Sequence, residues 1–189
     1  RRQRQMCIRD SICLAGTGVG KSLFMCHMAS SALMQNKNVL YITLEMSEER
    51  IAERIDANIL NIPMKELPDI SKKEYGKKIG RLKNKTKGKL IVKEYQTASA
   101  HVGHFRHVLQ ELNIKKDFQP DIIFVDYLNI CASQRIRPGA GANSYTLVKS
   151  IAEELRGLAV ENDLPIVSAT QTTRSGYGST DIGLEDTSE

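Results

Sequence analysis

Residues 15–22 read AGTGVGKS, with glycines at 16, 18 and 20 followed by a lysine and a serine. Three glycines spaced two apart disfavour both helix and strand, because each frees the backbone for conformations that other residues resist. The segment lies between a short apolar run, Ile12–Ala15, and a helix-forming run, Lys21–Asn36. A strand, a glycine-rich turn and a helix in that order predict a phosphate-binding loop. In such a loop the backbone amides of Gly16, Thr17, Gly18, Val19 and Gly20 turn inward, and the helix start adds partial positive charge. Lys21 is placed to reach β and γ phosphates, and the Ser22 hydroxyl to ligate Mg2+ beside ATP. Ala15 departs from the strict pattern, which has glycine there; a glycine turn without a ligand is the bland alternative.

The rest of the chain alternates apolar strand-like runs with helical ones, which predicts an α/β fold with a mostly parallel sheet and helices on both faces. Expected strands are Val39–Leu44, Leu90–Lys93, Asp121–Asp126 and the run from Ile166. DIIFVD at 121–126 is apolar between two acids, the pattern of a strand buried on both sides at the centre of a parallel sheet. Expected helices cover about 48–60, with Ser47 as N-cap, then 71–85, 102–114 and 145–161. Ser71 and Glu74 predict a capping box for the second of these.

The chain is 189 residues long, 41% apolar and 26% charged, enough for one domain with a real core. No stretch approaches 18 uncharged apolar residues, so no membrane-spanning helix and no membrane partner are expected. The four cysteines lack paired C-x-x-C spacing and are expected to be reduced thiols of a cytoplasmic protein. Of the net charge of +5, the first eleven residues contribute +3. Ten basic residues and one acid fall between Lys72 and Lys93, which reads as a solvated lysine-rich face or as a surface for nucleic acid or a partner.

Open parallel sheets bind ligands at the carboxyl edge of their strands. Asp126 ends the central strand there and is the natural magnesium-side carboxylate. Glu45, just past the second strand, emerges at the same edge and is the candidate to polarise attacking water. Gln171 ends the last strand on that edge, where its amide could sense a γ-phosphate. Capping or plain surface positions are the alternatives for all three. Arg135 and Arg137 flank Ile136 in a glycine-bearing loop and could meet backbone phosphates without reading bases. Arg174 and Tyr177 offer a cation and a stacking ring in the segment from Thr172.

The segments LAGTGVGKS, NVLYITLEMSEERIAERIDAN, IIFVDYLNIC, RIRPGAGANSYTLVKSIAEELRGLAVE and SATQ occur in an order and spacing that are specific together. In them the chain resembles the RecA-like motor domain of hexameric replicative DNA helicases of the DnaB type, the branch of T-even-like tailed phages above all. The resemblance implies a RecA-like P-loop NTPase with ATP and Mg2+. Lys21 and Ser22 match the Walker A lysine and hydroxyl, Glu45 the catalytic glutamate, and Asp126 the Walker B aspartate. Gln171 matches the glutamine that couples nucleotide state to DNA-binding loops. The segments with Arg135 and Arg137, and from Thr172 to about Leu184, resemble those loops, which line a six-membered ring.

The same resemblance implies a homo-hexamer acting on single-stranded DNA, a primase and a helicase loader as partners, and a place in the cytoplasm of a bacterial host. RecA-type recombinases share the fold and loops, and a regulatory P-loop nucleotide-binding module is a further alternative. Residues 1–11 have no period and read as non-native or disordered sequence, with a basic nucleic-acid-binding tail as the alternative. Residues 12–189 are expected to be an incomplete motor domain, because such motors also have a collar domain, an arginine finger and further strands. A piece of that kind is expected to be inactive alone.

Overall fold

Val39–Thr43 (β2) and Ile122–Asp126 (β4) are apolar runs whose residues are buried almost throughout. Only strands covered on both faces bury successive residues this way, and both lie inside one sheet. The structure, a computed structural model, describes residues 10–16, 18–83, 85–136 and 143–171. Among these, Asp10–Ala15 (β1), Leu90–Glu94 (β3) and Ile166–Gln171 (β5) complete a five-stranded sheet in the order β1-β5-β4-β2-β3. Every pairing is parallel, and β4 is the middle strand, as its composition predicts. β1 begins two residues earlier than its apolar run, since Asp10 and Ser11 pair with Ile166 and Val167.

The connecting helices are Lys21–Met34 (α1), Glu48–Leu60 (α2), Lys72–Lys83 (α3), Val102–Lys116 (α4) and Ser144–Asn162 (α5). Side chains alternate across a strand, so each strand feeds two cores. On one face Tyr41, Phe124, Val167 and Ala169 pack with Met25 and Ala29 of α1 and with Ile51 and Ile55 of α2. On the other, Leu40, Ile42, Ile123 and Val125 meet Phe105 and Leu109 of α4 and Ile151, Leu155 and Leu158 of α5.

Helix starts follow local chemistry. The Arg50 amide donates to Ser47 Oγ at 3.3 Å, so Ser47 caps α2 as expected. Asn143 caps α5 through the Thr146 amide at 2.8 Å. At α4 the cap is His101, whose Nδ1 accepts from the Gly103 amide at 3.0 Å while its own amide donates to His104. The Glu74 amide reaches Ser71 Oγ at 3.2 Å, but the Glu74 carboxylate faces Lys78 at 3.8 Å instead of closing the box.

The lysine-rich α3 is anchored by Tyr75, whose hydroxyl donates to Asp56 of α2, while Lys72, Lys73, Lys77 and Arg81 are exposed. Asp121 serves the sheet's opposite edge, accepting from the Asn38 amide at 2.7 Å. Cys13, Cys26 and Cys131 are free thiols. Among the described residues no helix is long and apolar enough to cross a membrane.

Candidate functional site

Parallel pairing brings the strand ends to one edge: Thr43 lies opposite Asp126, and Ala15 opposite Gln171. The glycine-rich turn leaves from Ala15. Gly18 and Gly20 adopt φ of 75° and 101°, left-handed values that strain any residue with a Cβ. Gly20 is the N-cap of α1, and the helix starts with no side-chain cap and no acid in its first turn. Its leading amides therefore have no side-chain acceptor among the described residues, the condition under which a helix start receives an anion.

Lys21 Nζ lies at the mouth of this turn, donating to the carbonyls of Gly16 at 2.8 Å and Ala15 at 3.2 Å. It stands 5.8 Å from the centre of the Tyr127 ring. Partial burial lowers the lysine's pKa, against the opposing charges of Glu45 and Asp126.

Asp126 is 1% exposed, on the α1 side of β4. Tyr41 of β2, wholly buried and stacked on Phe124 with centroids 5.7 Å apart, donates its hydroxyl to Asp126 Oδ2 at 2.9 Å. Cys26 Sγ of α1 lies 3.9 Å from the same hydroxyl, and burial pushes that thiol up to about 11. The other carboxylate oxygen, Oδ1, has no hydrogen-bond partner among the described residues. Burial raises the pKa of Asp126, while the Ser22 and Tyr41 hydroxyls and the charges of Arg54 and Lys21 favour its ionised form. Ser22 does so without closing an ordinary hydrogen bond to Oδ1.

A buried, unpartnered carboxylate oxygen beside a hydroxyl suits Mg2+, which takes one or two protein oxygens and completes its shell with water and phosphate oxygens.

Glu45 is exposed just beyond β2, near enough for its charge to act on both Lys21 and Tyr127. Gln171 is half-buried beside Ala15. Its strand is tied to β4 by Ser168 Oγ donating to the Val125 carbonyl at 2.8 Å, and to the turn after β4 by Thr170 Oγ1 donating to Asn129 Oδ1 at 2.7 Å. The sequence-predicted Lys21, Ser22, Glu45, Asp126 and Gln171 thus share one edge with Gly16, Gly18, Val19 and Gly20. Arg135 lies apart from them, exposed and paired with Glu153 of α5 at 3.0 Å. Thr17, Arg137, Arg174 and Tyr177 lie outside the described residues.

Two residues escape the sequence reading. Tyr41 shares a face with Asp126 only through the β2–β4 register, which no motif encodes. Glu154 of α5 gathers hydrogen bonds from residues 133–135, and a helical glutamate gives no hint of that.

Comparison with known proteins agrees with this geometry. The DnaB-like replicative helicase of Enterobacteria phage T4 is 47% identical over 182 residues, covering 95% of this chain and 38% of the phage protein. The chain therefore spans less than two fifths of that relative's length. A solved structure described as an ATPase domain superimposes with a TM-score of 0.74 at 17% identity, over 94% of this chain and 63% of the other. Another, of a DnaB-like replicative helicase and its interactions with primase, gives 0.71 at 19% identity, over 94% and 43%. These two likenesses establish the shared α/β fold. A glycine-rich turn and a buried aspartate meet at one edge of a parallel sheet, residues 8–181 match the DnaB-like helicase C-terminal domain, and the chain belongs to that family.

Proposed function

We propose that this chain is the motor of a replicative DNA helicase, hydrolysing ATP or another NTP with Mg2+ and coupling each turnover to movement along single-stranded DNA. The observation that carries the proposal is the convergence of Lys21, Ser22, Glu45 and Asp126 on the edge where the glycine turn opens. ATP phosphates lie in the turn, held by its amides and by Lys21, which exchanges its loop carbonyls for phosphate oxygens. Ser22 and Asp126 Oδ1 would hold Mg2+, which when bound supplies positive charge to the phosphate oxygens. Glu45 is exposed and unencumbered, so its carboxylate can accept a proton from water and aim it at the γ-phosphorus. Lys21 and the loop amides stabilise the charge that spreads over the transferring oxygens.

Gln171, next to Ala15 in the sheet, would convert loss of the γ-phosphate into a shift of the segment that follows β5. Arg135 and Arg137, and beyond β5 Arg174 and Tyr177, would contact the DNA backbone and bases. The working assembly is a homo-hexamer in a bacterial cytoplasm, with a primase and a helicase loader as partners; one fold relative was solved in a study of its primase interactions.

The deciding experiment measures NTP hydrolysis by the intact protein and by Lys21→Ala, each with and without single-stranded DNA. DNA-stimulated turnover that disappears with Lys21 supports the motor. Turnover indifferent to DNA would leave a nucleotide-binding regulator as the better description.

A further inference from the structure

Glu154 is 7% exposed, and no cation among the described residues pairs with it. Its partners are neutral donors. Oε1 accepts from the Ser133 hydroxyl at 2.6 Å, the Ser150 hydroxyl at 3.3 Å and the Arg135 amide at 3.3 Å; Oε2 accepts from the Gln134 amide at 2.9 Å. Ser133 Oγ in turn accepts from the amides of Arg135 and Ile136, both at 3.1 Å. The amides of 134 and 135 thus bond the buried anion directly, and that of 136 bonds the Ser133 hydroxyl that donates to it. A carboxylate that accepts several such bonds stays ionised despite burial, and Glu154 is held below the usual carboxylate range.

The preceding residue, Glu153, points to solvent. Its Oε2 accepts from the Arg135 guanidinium at 3.0 Å, and both side chains are more than half exposed. A carboxylate and a phosphate present similar oxygens to a guanidinium. An exposed pair of this kind is weak and exchangeable.

We propose that Glu154 and Glu153 form a two-carboxylate latch for the first DNA-facing segment: Glu154 fixes the backbone that presents Arg135, and Glu153 occupies its guanidinium until a DNA phosphate displaces it. This rests on the reading of Arg135 as a phosphate contact. Glu154 is a positioning residue, and Glu153 a competitor that lowers resting affinity.

The test uses the intact protein and a fluorescein-labelled oligo(dT), with anisotropy recorded at several salt concentrations and DNA-free NTP turnover measured in parallel. Arg135→Ala weakens binding and flattens its salt dependence. Glu153→Gln binds about two- to fivefold tighter, the scale of an exposed ion pair. Glu154→Ala binds about tenfold weaker, the scale of stranding buried donors, while DNA-free turnover is kept. Glu154→Gln, which retains one acceptor oxygen, recovers part of that loss.

If Arg135→Ala weakens binding but Glu153→Gln binds no tighter, the latch is wrong and the phosphate contact stands. If Glu154→Ala loses DNA-free turnover along with DNA binding, its role is structural and the latch is equally overturned. An Arg135→Ala protein with unchanged affinity and salt dependence sinks both the contact and the latch.

Discussion

The Tyr41 hydroxyl donates to Asp126 Oδ2 at 2.9 Å and leaves Oδ1 as the oxygen without a partner among the described residues. One strand thereby orients the buried acid of its neighbour, and the carboxylate has a bound side and an available side. Tyr41→Phe removes this bond without changing the ring that stacks on Phe124. The loss of a buried hydrogen bond to a charged group should cost about 1.5–3 kcal/mol, read as a lower urea midpoint at unchanged slope. The same variant should need more Mg2+ for half-maximal nucleotide binding, followed with a fluorescent ATP analogue. An unchanged Mg2+ requirement would mean that Asp126 is oriented by the strand alone.

Glu45 and Asp126 should fail differently. Glu45→Gln removes a proton acceptor that makes no hydrogen bond or ion pair among the described residues, so kcat should fall about 10²- to 10⁴-fold while nucleotide affinity stays close to that of the parent. Asp126→Asn should weaken binding in the presence of Mg2+ and change Mg2+-free binding far less. Titration of each variant with and without the ion separates the two. Equal losses in both would show that Glu45 also binds nucleotide.

Two glycines make opposite predictions for stability. A Cβ on Gly88 would stand 2.6 Å from the Lys37 carbonyl oxygen and 2.7 Å from that of Leu33, and backbone cannot swing aside. Gly88→Ala should destabilise by about 1–3 kcal/mol, the range for overpacking. Gly80 in α3 faces open space, so Gly80→Ala should stabilise by about 0.5–1 kcal/mol through helix propensity. Urea unfolding of the two variants should move the midpoint in opposite directions.

The Glu154 cluster predicts a pH dependence. Burial opposes the charge, but the Ser133 hydroxyl, the Gln134 and Arg135 amides and the Ser150 hydroxyl outweigh it, so the folded pKa lies below the unfolded one. A depressed acid contributes stability that is present above its unfolded pKa, about 4.3 for glutamate, and is lost as pH falls through the folded value. His101 and Cys131 feel the same carboxylate, and at neutral pH neither reverses the sign. The destabilisation of Glu154→Gln should therefore be largest near pH 7 and shrink from about pH 5 downward. A urea midpoint difference that stays constant from pH 7 to pH 4 would contradict this.

The phosphate loop and the central position of β4 were legible because each is a local pattern, glycine spacing in one and an unbroken apolar run in the other. The shared placement of Asp126, Glu45 and Gln171 was legible by a single rule, that parallel strands bring their carboxyl ends to one edge. Tyr41 was not, because facing Asp126 depends on which strands are neighbours, and strand order is set by packing distant in sequence. Glu154 was hidden for a related reason: α5 reads as an ordinary amphipathic helix, and its partners at 133–135 lie some twenty residues earlier. The capping box expected at Ser71 closed only halfway, since Lys78 one turn on offers Glu74 an ionic partner.

Two bonds, Ser168 to the Val125 carbonyl and Thr170 to Asn129, stitch the end of β5 to β4 and to the residues just after it. The stretch leading to Arg135 and the stretch beginning after Gln171 thus depart from a common, cross-braced platform whose flank is the root of the phosphate loop. Shear between the end of β5 and the turn that follows β4 would break these two bonds, so the two ends are held in register. Such a joint is stiff where a single backbone ladder would yield.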